Sequence, residues 1–433
     1  MNIGFTNLFA YRPHVQHLKF LADICQIDGH KIHYLTCDGE LDACYTKIIR
    51  QKTGNLSQKV ECAKCVMGGI RSYSDKFVDS ISSIDSQVLN SKKNDLQNLS
   101  LSSAATILRV ESDEELEGRD ITEIQNSLSS SIERVYSATV NWIRARNLDS
   151  LVVFNGRMDI TAAVIRAAKD CDINYVTHER TWFGDGIRII PNNNCLSIIE
   201  IKRIAKSYRD FPLTNDQSIF AAKLMAMRFK GTNTLEWRLY NKNSEELNGW
   251  PSGRVSGKKY LVIPSSRNEF MGNQEFKTSW KDNTTAIKDL VEVFGIEPAN
   301  VVVRGHPNWS ENIAKSTGQR SSEHYSLFCK KMDFTYIASD SNTCTYSLIQ
   351  QADVVIMNGG SSTIEAATLG KPVVCLSPSQ FQDSGFVTTY TSRESMLQAT
   401  GLFKKMTPDM VTKLAMRHIY TAARRFPMFV DEV

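Results

Sequence analysis

Residues 353–376 constrain the fold more than any other stretch of the chain. The apolar run Asp353-Val354-Val355-Ile356-Met357 leads into a small-residue turn, Asn358-Gly359-Gly360-Ser361-Ser362-Thr363. Ile364-Glu365-Ala366-Ala367-Thr368-Leu369 then opens a helix, Gly370-Lys371-Pro372 ends it, and Val373-Val374-Cys375-Leu376 is a second apolar run. Two apolar strands joined by a helix imply a parallel sheet covered on both faces. Small residues let a phosphate approach the backbone, and the free N–H groups at a helix start favour an anion. Ser361, Ser362 and Thr363 add hydroxyl donors. Glu365 falls in the first helical turn, where a carboxylate can accept both ribose hydroxyls of a nucleotide. The bland alternative is an ordinary capped helix in a parallel sheet. No G-x-x-x-x-G-K-[ST] occurs, and no G-x-G-x-x-G follows the first strand, which argues against a P-loop NTPase and a dinucleotide oxidoreductase.

The same strand–helix grammar recurs along the chain. Residues 1–45 read as strand, helix, strand. Residues 76–147 are mainly helical, with a mobile polar section near 86–104. Residues 151–154, 160–168 and 175–177 form another strand–helix–strand unit. The Gly-, Ser- and Pro-rich stretch near 246–258 is the best domain boundary. Strands are then expected at 260–264, 301–304, 334–338, 354–357 and 373–376. At 433 residues the chain exceeds one ordinary core. The expected fold is therefore α/β, with two Rossmann-like domains. The first spans 1–250 with a helical insertion at about 70–147. The second spans 258–405, and a C-terminal helix in 406–433 crosses back onto the first. Ligand would lie in the crevice at the strand C-termini.

The segment 358–376 resembles the nucleotide-sugar signature of GT-B glycosyltransferases. Arg304-Gly305-His306-Pro307 resembles the His-Pro motif of bacterial capsule and related surface-polysaccharide transferases, which contacts donor phosphates. Asn155-Gly156-Arg157 and His178-Glu179-Arg180 are similar to patterns in polysaccharide-biosynthesis proteins of this class. The resemblance implies transfer of a sugar from a UDP- or CMP-linked nucleotide-sugar to a glycan or lipid-linked glycan of capsule, O-antigen or a related surface polysaccharide. Donor binding would fall to His306, Arg304, Ser265, Arg267, Asn358, Gly359, Gly360, Ser361, Ser362, Thr363 and Glu365. A sugar-nucleotide 2-epimerase shares the architecture and stays as an alternative.

In the first lobe, Asn155 and Arg157 follow one strand, and His178, Glu179 and Arg180 follow its neighbour. Both groups are expected at one sheet edge facing the cleft, with Asn155, Arg157 and Arg180 on the acceptor. Charged strand ends that merely pair with one another are the alternative. An inverting transferase needs a carboxylate or histidine to take the acceptor proton. Glu179 ranks first, then Asp185 in its Gly-flanked loop, with His178 and Asp159 behind. Asp170-Cys171-Asp172 falls at a helix end rather than a strand end, so no catalytic metal or other cofactor is expected.

The chain has ten cysteines. Cys37-x6-Cys44 and Cys62-x2-Cys65 cluster within 29 residues, which suggests a structural zinc on four thiolates, unliganded thiols, or a redox pair. A zinc-stabilised interaction protein without catalysis is the reading furthest from an enzyme. A net charge of +4, from 51 basic and 47 acidic residues, does not single out a nucleic-acid binder. The N-terminus lacks a basic region followed by an apolar run, so a cytoplasmic location is expected. The basic residues Lys413, Arg417, Arg424 and Arg425 of the last helix suggest peripheral contact with anionic lipid at the inner membrane.

Overall fold

The computed structural model describes all residues except 52–57, 75–77, 86–92, 185, 237–243, 254, 314–315 and 429–433. Two six-stranded sheets organise the chain. The first has β1 (Asn2–Asn7), β2 (Lys31–Thr36), β3 (Val78–Ser80), β4 (Ser150–Phe154), β5 (Asn174–Arg180) and β6 (Ile187–Pro191) in the order β3-β2-β1-β4-β5-β6. Only β6 runs antiparallel, opposite β5. The second has β7 (Tyr260–Ile263), β8 (Val301–Arg304), β11 (Thr335–Ile337), β12 (Val354–Met357), β13 (Val373–Cys375) and β14 (Val387–Thr389) in the order β11-β8-β7-β12-β13-β14, all parallel. A two-stranded hairpin, β9 (Asn312–Ile313) with β10 (Ser316–Thr317), stands apart. Each sheet reverses strand order beside its first strand, as in a Rossmann fold, and the crevice opens where the order reverses.

Alternation along the strands sends apolar side chains to both faces. In the first sheet, Ile3, Phe5, Tyr34 and Val152 meet Leu18 and Ala22 of the helix His14–Ile27. Leu35, Leu151 and Val153 meet the helices Arg119–Arg146 and Asp159–Asp170 on the other face. In the second sheet, Val262, Val301, Val303, Val354 and Ile356 pack on the helix Asn283–Val293. Leu261, Ile263, Val302 and Val355 face the short helix Ser362–Thr368 and the helix Pro408–Tyr420. An unpaired charge is costly on such faces, so most of the polar chemistry falls at strand ends and in loops.

Several boundaries differ from the sequence expectation. The helix Asn215–Phe229 precedes the Gly-rich linker, yet its stripe of Ala221, Leu224 and Met225 belongs to the second lobe's core, as does Trp250. The helix Pro408–Tyr420 also packs into the second lobe, through Val411, Leu414, Ala415 and Ile419. What returns to the first sheet is the chain beyond it, where Met428 pairs antiparallel with Ile187 at the edge of β6. Three of the four basic residues expected at a membrane bind within the protein, and Lys413 is exposed. Arg424 covers Phe220, Arg425 covers Tyr208, and Arg417 donates to the Arg209 carbonyl. Residues 86–92 lie outside the described ones, whereas the rest of the supposedly mobile section carries the helices Lys93–Gln97 and Leu101–Leu108. No described helix is long and apolar enough to cross a membrane.

The helical insertion also fastens the lobes together. The backbone N–H of Asp113 donates to the Lys281 carbonyl at 2.8 Å, and the Asp113 carboxylate pairs with Arg267 at 2.7 Å. Glu111 is buried in this seam, accepting from the Ser321 hydroxyl at 2.5 Å and the Arg267 N–H at 3.2 Å. Burial pushes its carboxyl up to about 8. It is therefore protonated in the folded protein at neutral pH, while the unfolded chain has released that proton. The associated stabilisation is complete below the unfolded value of 4.5 and is lost as pH rises through about 8. Denaturant titrations of wild type should show this loss between roughly pH 5 and 8.5, and Glu111→Gln, which cannot ionise, should flatten it by about 3–5 kcal/mol, the order that linkage sets. Equal slopes in the two proteins would contradict the assignment.

Candidate active site

The two crevices face each other and enclose a cleft of about 770 Å³. From the first lobe, His14, Asn155, Arg157, Glu179, Arg180 and Trp182 line it. From the second come Arg228, Arg304, His306, Ser361, Ser362 and Glu365. Nine residues expected from sequence thus meet here, from segments up to about two hundred residues apart in the chain.

The first wall is built around Glu179. The chain turns sharply after β4, with Asn155 at φ 63° and Gly156 at φ 72°. A side chain at Gly156 would collide with Ile165 and Thr177, so the turn requires glycine. Asn155 then donates from Nδ2 to Glu179 Oε2 at 3.1 Å, and accepts from the Arg157 N–H at 3.0 Å. Its role is to hold Glu179 rather than to stand free for an acceptor. His14 Nε2 lies 3.2 Å from Glu179 Oε1, and the Arg180 N–H donates to the same oxygen at 3.0 Å. About a quarter of the Glu179 side chain remains exposed, and burial of the rest raises its pKa. Arg157 reaches Ser102 and Thr106 of the insertion and the Glu269 carbonyl of the second lobe. Arg180 lines the cleft.

His178 corrects the sequence reading. β5 continues to Arg180, so His178 and Glu179 point to opposite sides of the pleat. His178 is fully buried and borders Phe154 and His14, away from the cleft. Burial drives its pKa well below the ordinary value and lowers that of His14 to about 4, so both rings are neutral. Asp159 is also fully buried, accepting from the Tyr45 N–H and the Ser103 hydroxyl, which makes it a joint between segments. Asp185 lies outside the described residues.

The second wall contains a residue the sequence reading missed. Arg228, at the end of the helix Asn215–Phe229, donates from Nε to Glu365 Oε1 at 2.6 Å and from Nη2 to Ser361 Oγ at 3.1 Å. It also pairs with Glu236, and its guanidinium lies 4.8 Å from the Trp182 ring centroid. Tyr346 donates to Glu365 Oε1 at 3.2 Å. Glu365, expected to accept ribose hydroxyls, here anchors Arg228 beside the serine turn. Arg228 is 13% exposed and Glu365 5%, so a strong charge pair sits at the rim of the cleft. Nothing adjacent to Arg228 in sequence marks it; only the fold brings it across.

His306 follows β8 and caps the turn Pro307–Trp309, its Nδ1 accepting from the Asn308 N–H at 3.2 Å. The neutral ring then carries its proton on Nε2 and is a donor there. Arg304 is buried, donating to the carbonyls of Gly305, Ala338 and Ser341, so it braces a loop. Thr363 is buried with its hydroxyl on Met357 Sδ at 3.3 Å, and does not reach the cleft. Ser265, Arg267 and Asn358 line an adjoining cavity of about 160 Å³, with Arg267 held by Asp113 and the Trp280 carbonyl. Gly359 and Gly360 are required by crowding as much as by any ligand. A Cβ would come within 2.6 Å of Ser379 at the first and 2.7 Å of Ser265 at the second.

Cys37, Cys44, Cys62 and Cys65 gather around one small apolar cavity beside Leu8, Phe9 and Leu41. Burial pushes the Cys37 thiol up to about 12 and raises those of Cys44 and Cys65. Among the described residues, the three-residue group whose ligand atoms come within 4.8 Å of one another is made of histidines, so these thiols share a cavity without converging on a point.

Two Rossmann-like domains facing across a cleft at their switch points form the GT-B architecture. No protein-family model matches the chain, and no curated protein matches it. Among solved structures it is similar to KpsC of Thermosulfurimonas dismutans, a beta Kdo 2,4 transferase, at 11% identity over 65% of this chain and 82% of that one, with a TM-score of 0.40. It is also similar to UDP-GlcNAc 2-epimerase from Neisseria meningitidis bound to UDP-GlcNAc, at 12% identity over 97% and 96% with a TM-score of 0.30. The glycosyltransferase VinC in complex with dTDP matches at 13% identity over 99% and 96%, with a TM-score of 0.26.

Removing Arg228 leaves Glu365 and Glu236 buried without their cation. Arg228→Met should cost about 3–5 kcal/mol of stability in denaturant titration, the range for breaking a buried ion pair. Arg228→Met combined with Glu365→Gln should recover part of that loss. Additive losses in the double variant would show that the pair is not coupled.

Proposed function

We propose that the protein is a glycosyltransferase that moves a sugar from a UDP- or CMP-linked nucleotide-sugar to a glycan or lipid-linked glycan acceptor of a bacterial surface polysaccharide. One observation carries this reading: two complementary chemistries face each other across a single cleft. Arg228, His306, Ser361 and Ser362 supply donors suited to a phosphate on one wall. Glu179, held by hydrogen bonds from Asn155 and the Arg180 N–H and with His14 Nε2 3.2 Å away, supplies a carboxylate on the other. The cleft volume falls in the range of about 300–1,000 Å³ that small-molecule sites occupy.

In this mechanism the bond between the sugar's anomeric carbon and the donor phosphate breaks as the acceptor oxygen bonds to that carbon. Glu179 takes the acceptor's hydroxyl proton. The nucleotide leaves with its electron pair as an anion, and the guanidinium and hydroxyl donors stabilise the charge that develops on it. His306 adds a proton donor beside the same phosphate. No step requires a metal or a cofactor.

Calorimetry with UDP- and CMP-sugars tests donor recognition. His306→Ala should weaken binding about 10- to 100-fold, the loss expected for a hydrogen bond to a charged group. Glu179→Gln should keep donor affinity while kcat/KM falls about 100-fold or more, as for removal of a general base. Incubation with donor alone, followed by NMR, should give no new sugar. Appearance of a 2-epimer without acceptor would replace the transferase reading with a UDP-sugar 2-epimerase. Absence of binding to every nucleotide-sugar would overturn both.

A further inference from the structure

His14 and His17 stand one turn apart at the start of the helix His14–Ile27, and His178 faces them from β5. One ring nitrogen from each of the three lies within 4.8 Å of the other two. Nδ1 of His14, Nδ1 of His17 and both ring nitrogens of His178 are buried with no hydrogen bond. Native proteins pair nearly all buried polar atoms, so a group of four unpaired nitrogens at one place calls for something between them. Among the described residues, no carboxylate or hydroxyl hydrogen-bonds to those four nitrogens. Glu179 approaches the group at His14 Nε2.

That contact is informative. With a carboxylate oxygen 3.2 Å from His14 Nε2, a proton on Nε2 is the favoured tautomer, which leaves a lone pair on the buried, unpartnered Nδ1. A ligating imidazole normally donates its other N–H to a carboxylate or carbonyl, which fixes the tautomer. His14 is further held by stacking on Phe154, with ring centroids 4.3 Å apart. Three neutral imidazoles with no oxygen ligand suit zinc or a related transition metal, and do not suit magnesium or calcium. Tetrahedral coordination at about 2.0–2.1 Å places nitrogens about 3.3 Å apart, so the rings need approach by no more than about 1.5 Å.

We propose that His14, His17 and His178 bind one divalent transition-metal ion, zinc foremost, with Glu179 as the outer carboxylate on His14. The site lies under the first wall of the cleft, and His14 belongs to both. A bound ion would fix the His14 ring and through it the position of Glu179. The proposal rests on the histidine geometry and is independent of the glycosyltransferase reading.

The test is the metal content of the full-length protein, stripped with a chelator, exposed to Zn²⁺ and passed through gel filtration. The expected result is one zinc per chain by plasma mass spectrometry. His17→Ala should weaken zinc binding by at least about 100-fold, the scale on which even outer partners of a metal site act. His17 is the preferred variant because it is half-buried at a helix start, and circular dichroism checks that the variant is folded. A Cys62→Ser/Cys65→Ser protein should retain its zinc. Co²⁺ in place of Zn²⁺ should give a visible ligand-field band without thiolate charge transfer. Wild type that retains no zinc, zinc that survives in folded His17→Ala, zinc loss in the double cysteine variant, or a thiolate band would each overturn the proposal. Should His17→Ala fail to fold, the Co²⁺ spectrum of wild type decides. Metal content is read without substrate, so its failure is distinguishable from failure of nucleotide-sugar binding in calorimetry.

Discussion

A parallel sheet covered by helices on both faces leaves only its strand ends for polar chemistry. That constraint shapes this protein twice. Each sheet reverses order beside its first strand, and the loops that leave the reversal diverge and open a crevice. The turn after β4 presents Asn155 and the end of β5 presents Glu179. The loop after β8 presents His306 and the turn after β12 presents Ser361. Because two such edges face each other, groups far apart in the chain become neighbours without any of them disturbing a core.

Within the cleft the electrostatics depend on Arg228. A guanidinium this buried must be matched, and Glu365, Glu236 and the Trp182 face match it. The match keeps a rigid planar fork of N–H donors beside the serine turn, a geometry that the compact ammonium of a lysine does not present. Glu179 is fixed by a different means, through an asparagine in the left-handed region, a histidine and its own neighbour's N–H. The two walls are therefore preorganised separately. Oriented groups need not reorganise when charge develops, and that is the main source of electrostatic catalysis.

What was legible in the sequence was local. The strand, small-residue turn and helix at 353–376 are read correctly because their signals, an apolar run, glycines and hydroxyl residues, are adjacent in sequence even though the strand pairs with a distant one. The Asn-Gly pair at 155–156 carries a local turn signal as well, but the use of Asn155 to hold Glu179 is set by the fold. Long-range packing was not legible. Nothing near Ala221, Leu224 and Met225 says which lobe their stripe will face, so the helix that carries Arg228 was placed in the wrong lobe. His178 was misplaced by a strand that runs three residues further than its apolar core, which flips side chains at each step. The His14-x-x-His17 spacing marks two imidazoles on one helix face, but its third member arrives from β5 and has no local signature.

The helix Asn215–Phe229 lies before the linker in sequence and yet travels with the second lobe. If the lobes hinge apart, Arg228, Ser361, His306 and Glu365 move as one rigid set, while Glu179 departs with the first lobe. An anion could then settle fully on the second lobe before the carboxylate arrives. On the proposed reaction, such a hinge would set an order of events: capture first, proton transfer only on closure.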